Sequence, residues 1–150
     1  MTVRVSWAQA GGDPRLLSDE DVRAAVEAAL AHGGCPDTQI DVVFVDDETL
    51  ASMHGEWLGD DSPTDVISFD LGDEFDGPAG ELYVSEPCAR RVAGEQGQDP
   101  RRELALYVVH GTLHLCGHDD HDDVERAQMR EAERQVLARL GYADDAPRFE

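Results

Sequence analysis

The chain has 150 residues, 41% of them hydrophobic, and a formal net charge of −21 at pH 7. That length and composition suit one globular domain over residues 1–150, long enough to bury a sizeable core. That net charge argues against a broad basic surface for gripping phosphates; every one of the 12 basic residues is arginine, and no apolar run is long enough to cross a bilayer.

Val3, Val5 and Trp7 alternate, which predicts an N-terminal strand rather than a signal peptide, so a cytoplasmic location is the default expectation. Gly11-Gly12-Asp13-Pro14 breaks that strand. Ser18 to Asp21 resembles a capping box with Asp in place of Glu, and Leu17 stands where a hydrophobic staple belongs. The stripe Val22, Ala25, Val26, Ala29 and Leu30 then predicts a helix that stops at Gly33-Gly34. Ile40, Val42, Val43, Phe44 and Val45 predict a strand, and Asp46-Asp47-Glu48 starts a short helix with Leu50, Met53 and Trp57 on one side. Gly59 to Pro63 reads as a loop, Val66, Ile67 and Phe69 as a strand, and the acidic stretch from Asp70 to Gly80 as an exposed loop.

Leu82, Tyr83 and Val84 predict the next strand, after which Ser85 caps a helix that turns Val92 and Ala93 inward. Asp99-Pro100 is a good cap and first-turn pair for the following helix. That helix carries Leu104, Leu106, Tyr107, Val108, Val109, Leu113 and Leu115, apolar on nearly all sides, so it should be central and buried. A last helix runs from about Asp122 to Leu140 and ends at Gly141, leaving a loose tail from about residue 142 to Glu150. Strand, helix, strand, helix, strand, strand and three helices predict an α+β fold, a mixed sheet of about four strands packed on a helical layer.

The chemistry gathers at the end of the central helix. His110 and His114 stand four residues apart, so they share a helical face and can grip one metal ion. Gly117 is well placed to end the helix in a left-handed turn, after which His118, Asp119, Asp120 and His121 come back toward the two imidazoles. Three protein ligands and an open position are the usual holding of a catalytic zinc. Gly111 follows His110 where a His-Glu-x-x-His metalloprotease has its general base, so peptide hydrolysis by that route is not expected. Each imidazole should hand its second ring nitrogen to a carbonyl or carboxylate that the sequence does not name.

Cys35, Cys88 and Cys116 are odd in number and scattered, which suggests no disulfide and fits a reducing compartment. Cys116 lies two residues past His114, points away from the histidine face, and reads as a buried structural thiol. The arginines cluster at Arg90-Arg91, Arg101-Arg102, Arg126, Arg130, Arg134 and Arg139. The stripe Arg126, Arg130 and Arg134 reads as a solvated face paired with Glu125, Glu131 and Glu133, in preference to an RNA track.

His110-Gly111-Thr112-Leu113-His114-Leu115-Cys116-Gly117-His118-Asp119-Asp120 resembles the signature His-Gly-x-Leu-His-Leu-x-Gly-Tyr-Asp-His of the YbeY family, bacterial metal-dependent endoribonucleases of ribosomal RNA maturation. Pro63-Thr64-Asp65-Val66-Ile67-Ser68-Phe69, Gly80-Glu81-Leu82-Tyr83-Val84-Ser85 and Arg102-Glu103-Leu104-Ala105 are similar to three further blocks of that family, and the resemblance runs from about Gln39 to Leu140. It implies the same α+β arrangement, with a metal-bearing helix under the sheet. It also implies one Zn2+, or another divalent metal, on His110, His114 and a third ligand. The family's third histidine falls on Asp120 here, and His121 follows one place later. Spacing favours Asp120, whose carboxylate zinc accepts and which would harden the site somewhat; His121 is the alternative.

His118 stands where the family often has Tyr and is expected to line the cleft, while Leu58 occupies the place of a functional Arg in many members. Thr64, Asp65 and Ser68 are expected on the opposite, substrate-facing wall. The resemblance implies a single-strand-specific endoribonuclease acting in 16S rRNA 3′-end maturation and ribosome quality control. Its partners would be single-stranded or ribosomal RNA and the small ribosomal subunit, with no membrane. Two other readings stand beside it: a metal-dependent hydrolase of a non-RNA substrate, which the acidic composition favours, and a ribosome-assembly protein whose zinc is structural.

Overall fold

Alternation of side chains builds the sheet, and helix caps set the lengths of the helices laid against it. The computed structural model describes residues 3–7, 15–58, 66–71, 80–118 and 122–142, excepting the side chains of residues 57 and 58. In chain order the elements are β1 (Val3–Trp7), α1 (Asp19–His32), β2 (Ile40–Val45), α2 (Asp47–Leu58), β3 (Val66–Asp70), β4 (Gly80–Ser85), α3 (Glu86–Gln96), α4 (Pro100–Leu115) and α5 (Asp123–Arg139). This is the α+β order expected from the sequence.

The sheet runs β1-β2-β4-β3. β1, β2 and β4 are parallel, and β3 lies antiparallel on β4 at the edge. In register, Trp7, Phe44, Val84 and Val66 form one row and Val5, Val42, Leu82 and Ser68 the next. Because alternate residues share a face, both rows point the same way, into the core shared with the helices. Trp7 stacks on Phe44 with ring centroids 4.0 Å apart, and its indole N–H donates to Asp19 at 3.1 Å. The other face carries a smaller apolar cluster in which Val45, Ile67, Tyr83 and Phe69 meet Leu50 and Met53 of α2.

The helix ends follow their local chemistry. Ser18 and Asp21 form the reciprocal capping box of α1, each side chain accepting the other's backbone N–H. Leu17 is buried beside it. The Asp46 carboxylate accepts from the Thr49 backbone N–H at 2.7 Å and opens α2; that bond holds the carboxyl below its usual range. Ser85 and Asp99 cap α3 and α4 in the same manner. The loop expected from Gly59 to Pro63 lies outside the described residues, as does 72–79 of the loop expected from Asp70 to Gly80, whose two ends belong to the sheet instead: Asp70 closes β3, Gly80 opens β4, and the two pair in register. The tail from 143 onward also lies outside the described residues, whereas Tyr142 donates its backbone N–H to Leu137 and packs on the core.

α4 is the hub. It touches α1, α3, α5, β3 and β4, and its Leu104, Val108, Val109 and Leu113 are fully buried. Burial also pushes the Tyr107 phenol well up from its ordinary range, and neighbouring Cys88 and Glu103 add to the shift. No helix among the described residues is long and apolar enough to cross a membrane.

One expectation is overturned. Cys35 and Cys116 are joined in a disulfide across 81 residues of sequence, with Cα atoms 6.3 Å apart. Cys116 does turn away from the histidine face, but as a half-buried cystine rather than a buried thiol; only Cys88 keeps that form. The cause is tertiary. The turn after α1 presses on the end of α4 so closely that a Cβ on Gly33 would lie 2.7 Å from Cys116 Cβ. Denaturant titration should find the oxidised chain more stable by about 3 kcal/mol than the same chain in excess dithiothreitol, because the bond restricts the unfolded ensemble. Cys35→Ser should abolish the difference.

Candidate metal centre

The centre is built at the C-terminal end of α4. Asp99 and Pro100 start that helix sixteen residues before its end at Leu115, so His110 and His114 fall on its last turns. Cys116 is the C-cap and Gly117 follows at φ 96°, a conformation that glycine alone adopts without strain. Gly117 N–H donates to His114 O and His118 N–H to Leu113 O, each at 3.0 Å, which closes a Schellman turn. The chain therefore reverses where the sequence said it would. His118 is held there through its backbone.

The two imidazoles converge. Their Nε2 atoms are 3.1 Å apart and their rings meet edge to face, with centroids 4.6 Å apart. Two nitrogens bound to one tetrahedral zinc at about 2.0–2.1 Å stand about 3.3 Å apart, so the pair needs almost no movement to share a metal ion. Behind His110, its Nδ1 meets the Glu133 carboxylate in a short hydrogen bond. The residues present thus fit a metal in donor type, in spacing and in the carboxylate behind one ligand.

Asp120 and His121, the two candidates for the third ligand, lie outside the described residues, as do Thr64 and Asp65. Among the described residues no group of three or more His, Cys, Asp or Glu side chains gathers in a form that could hold a metal. Leu58 ends α2, and its side chain is not described. Ser68 is visible. Its hydroxyl donates to the Gly111 carbonyl at 3.0 Å and so ties β3 to α4. Ser68→Ala should cost about 1 kcal/mol in denaturant titration. An increase in KM for RNA with unchanged stability would instead mark a substrate contact.

Glu133 is the residue that sequence reasoning misplaced. It was expected on the arginine face of α5. It is buried instead, turned toward His110, while Arg134 pairs with Glu131 at 2.6 Å and Arg126 with Asp123. A signal was present: Met129, Ala132, Glu133, Val136 and Leu137 are the buried stripe of α5, and one carboxylate interrupts it. The other arginine clusters are also engaged with acids, Arg90 with Glu86, Arg91 with Asp47 and Arg101 with Asp21.

Known proteins resemble this chain over most of its length. The sequence model described as endoribonuclease YbeY matches residues 15–141. The endoribonuclease YbeY of Desulforamulus reducens is 36% identical over 129 residues, covering 80% of this chain and 84% of that protein. The one from Pelotomaculum thermopropionicum is 39% identical over 125 residues, covering 79% and 82%. The solution structure of TM1509 from Thermotoga maritima superposes with a TM-score of 0.59 at 24% identity, covering 97% of this chain and 99% of that one, and shares the fold. With the matched span running from before α1 to the end of α5, the chain belongs to the endoribonuclease YbeY family.

Proposed function

We propose that this chain is a metal-dependent endoribonuclease that cuts single-stranded RNA by phosphodiester hydrolysis and acts in the cytoplasm, in 16S rRNA 3′-end maturation and ribosome quality control. The observation that carries this reading is the convergence of His110 Nε2 and His114 Nε2, 3.1 Å apart with Glu133 behind, in a chain of this family. His110, His114 and Asp120, with His121 as the alternative, would hold one Zn2+ or another divalent metal. Such an ion supplies Lewis acidity toward a phosphoryl oxygen and makes water nucleophilic near neutral pH. The chain's own part is to aim two imidazole nitrogens at one point and to keep that point at the solvent edge of α4, where the His110 side chain remains 27% exposed. Thr64, Asp65 and Ser68 would line the substrate wall.

The net charge of −21 favours a second reading, hydrolysis of a small non-RNA ester, because polyanionic RNA gains little from an acidic surface on which Arg90, Arg91, Arg101, Arg126 and Arg134 are already paired with acids. Cleavage of end-labelled single-stranded RNA by the metal-loaded chain, beside a duplex of the same sequence and a chelator control, separates the two. Cutting of the single strand alone, stopped by the chelator, supports the first reading. Intact RNA beside hydrolysis of a nucleotide ester supports the second.

A further inference from the structure

We propose that Glu133 is a positioning residue for the metal centre: it fixes His110 with its proton on Nδ1 and its lone pair on Nε2, ready for a cation. The inference rests on the reading of His110 and His114 as metal ligands. It goes further by naming what holds one of them and in which tautomer.

Glu133 occupies a position on α5 that the helix otherwise gives to Met129, Ala132, Val136 and Leu137, all buried against α4 and its neighbours. The Glu133 side chain is 11% exposed. A carboxylate in such a place is costly unless a hydrogen-bond donor meets it. The partner it meets is His110 Nδ1. An ionised carboxylate only accepts, and a neutral imidazole has one donor nitrogen and one acceptor nitrogen. The donor must therefore be Nδ1–H, which leaves Nε2 with its lone pair.

The consequence passes to the second ring. His110 Nε2 and His114 Nε2 are within hydrogen-bond distance, and a hydrogen bond between them needs one to donate and the other to accept. With His110 Nε2 fixed as the acceptor, His114 Nε2–H is the donor. One proton then lies between the two nitrogens, in the place a cation would take. Uptake of a metal requires His114 to give up that proton or move it to Nδ1, while His110 binds without rearrangement. Glu133 thus makes the two ligands unequal, one prepared and one that must switch.

The test reads protons, not activity. Long-range 1H–15N spectra of the metal-free, 15N-labelled chain should show His110 protonated on Nδ1 and His114 on Nε2, with His118 as an internal reference. In Glu133→Ala, His110 should become a mixture of tautomers while His118 stays unchanged. Zinc affinity, measured by competition with a chromophoric chelator, should fall 10- to 100-fold, as removal of such a partner typically does. Glu133→Gln keeps an acceptor oxygen without the charge and should fall between the wild type and Glu133→Ala; it also serves if the alanine variant misfolds.

A wild type with His110 protonated on Nε2 overturns the proposal. So does a Glu133→Ala chain that loses zinc affinity while its His110 tautomer stays fixed, since that is a structural effect. A wild type with the stated tautomers that lose their order in Glu133→Ala, yet binds no zinc, supports the hold of Glu133 on His110 and overturns the metal reading alone. Absence of RNA cleavage with these spectra and affinities intact overturns the proposed activity and leaves Glu133 in place.

Discussion

Gly111→Glu should leave a chain that does not fold. Gly111 is buried where α4 crosses the sheet, and a Cβ there would lie 2.9 Å from Leu82 Cδ2 and 3.0 Å from both Ser68 Oγ and Val66 Cγ2. Leu82 is itself fully buried and has little room to move. Gly111→Ala already sets about 1 kcal/mol of helix propensity gained against about 1–3 kcal/mol of overpacking, so it should be mildly destabilising. A glutamate adds the burial of a carboxylate with no donor aimed at it, several kcal/mol more, against a total stability of about 5–15 kcal/mol. Far-UV circular dichroism and denaturant titration check this. A Gly111→Glu chain that unfolds cooperatively near the wild-type midpoint would refute the tight crossing. The same crossing explains the residue next to the first histidine: the position where a metalloprotease keeps its general base faces the sheet here, not the metal.

His114→Ala should abolish metal binding and RNA cleavage without unfolding the chain. If His114 is a ligand as proposed, removing its imidazole takes away more than an outer partner does, so zinc affinity should fall by more than the 10- to 100-fold typical of such a partner, on the order of 10³-fold. Cleavage should fall in parallel, and a chelator should reduce the wild type to the same level. Stability should survive, because His114 is half-exposed near the end of α4 and alanine is a better helix former. Chelator competition, an end-labelled RNA assay and a thermal melt of the metal-free chain give the three readouts. If all three preparations cut alike, the cleavage does not come from this centre.

Most of the fold was legible because its signals are local. Ser18 with Asp21, Ser85, Asp99 with Pro100, and Gly117 each act within a few residues, and each ends or starts a helix as its chemistry requires. Alternation in Val3 to Trp7 and the apolar residues on nearly all sides of α4 likewise announced an N-terminal strand and a buried hub. The histidine pair was legible for the same reason, a spacing of four on one helix. What escaped was long-range. Glu133 meets His110 across 23 residues, and its neighbours Arg130 and Arg134 made a surface ion pair the simpler reading. Cys35 and Cys116 are 81 residues apart, and nothing near either announces the other. Gly111 was read only as a missing glutamate, although its physical reason is the close approach of β3 and β4.

The position of α5 in the chain has a consequence for synthesis. α4 brings both imidazoles and the turn beyond them, but Glu133 arrives on α5, 23 residues after His110. A nascent or prematurely ended chain that stops before α5 would carry both nitrogens with no carboxylate to set their protons. The buried stripe of α5 that covers that side of α4 would also be missing. The centre therefore reaches its full arrangement only once α5 has been made and has packed on α4, so products that stop before α5 should bind a metal more weakly than the whole chain.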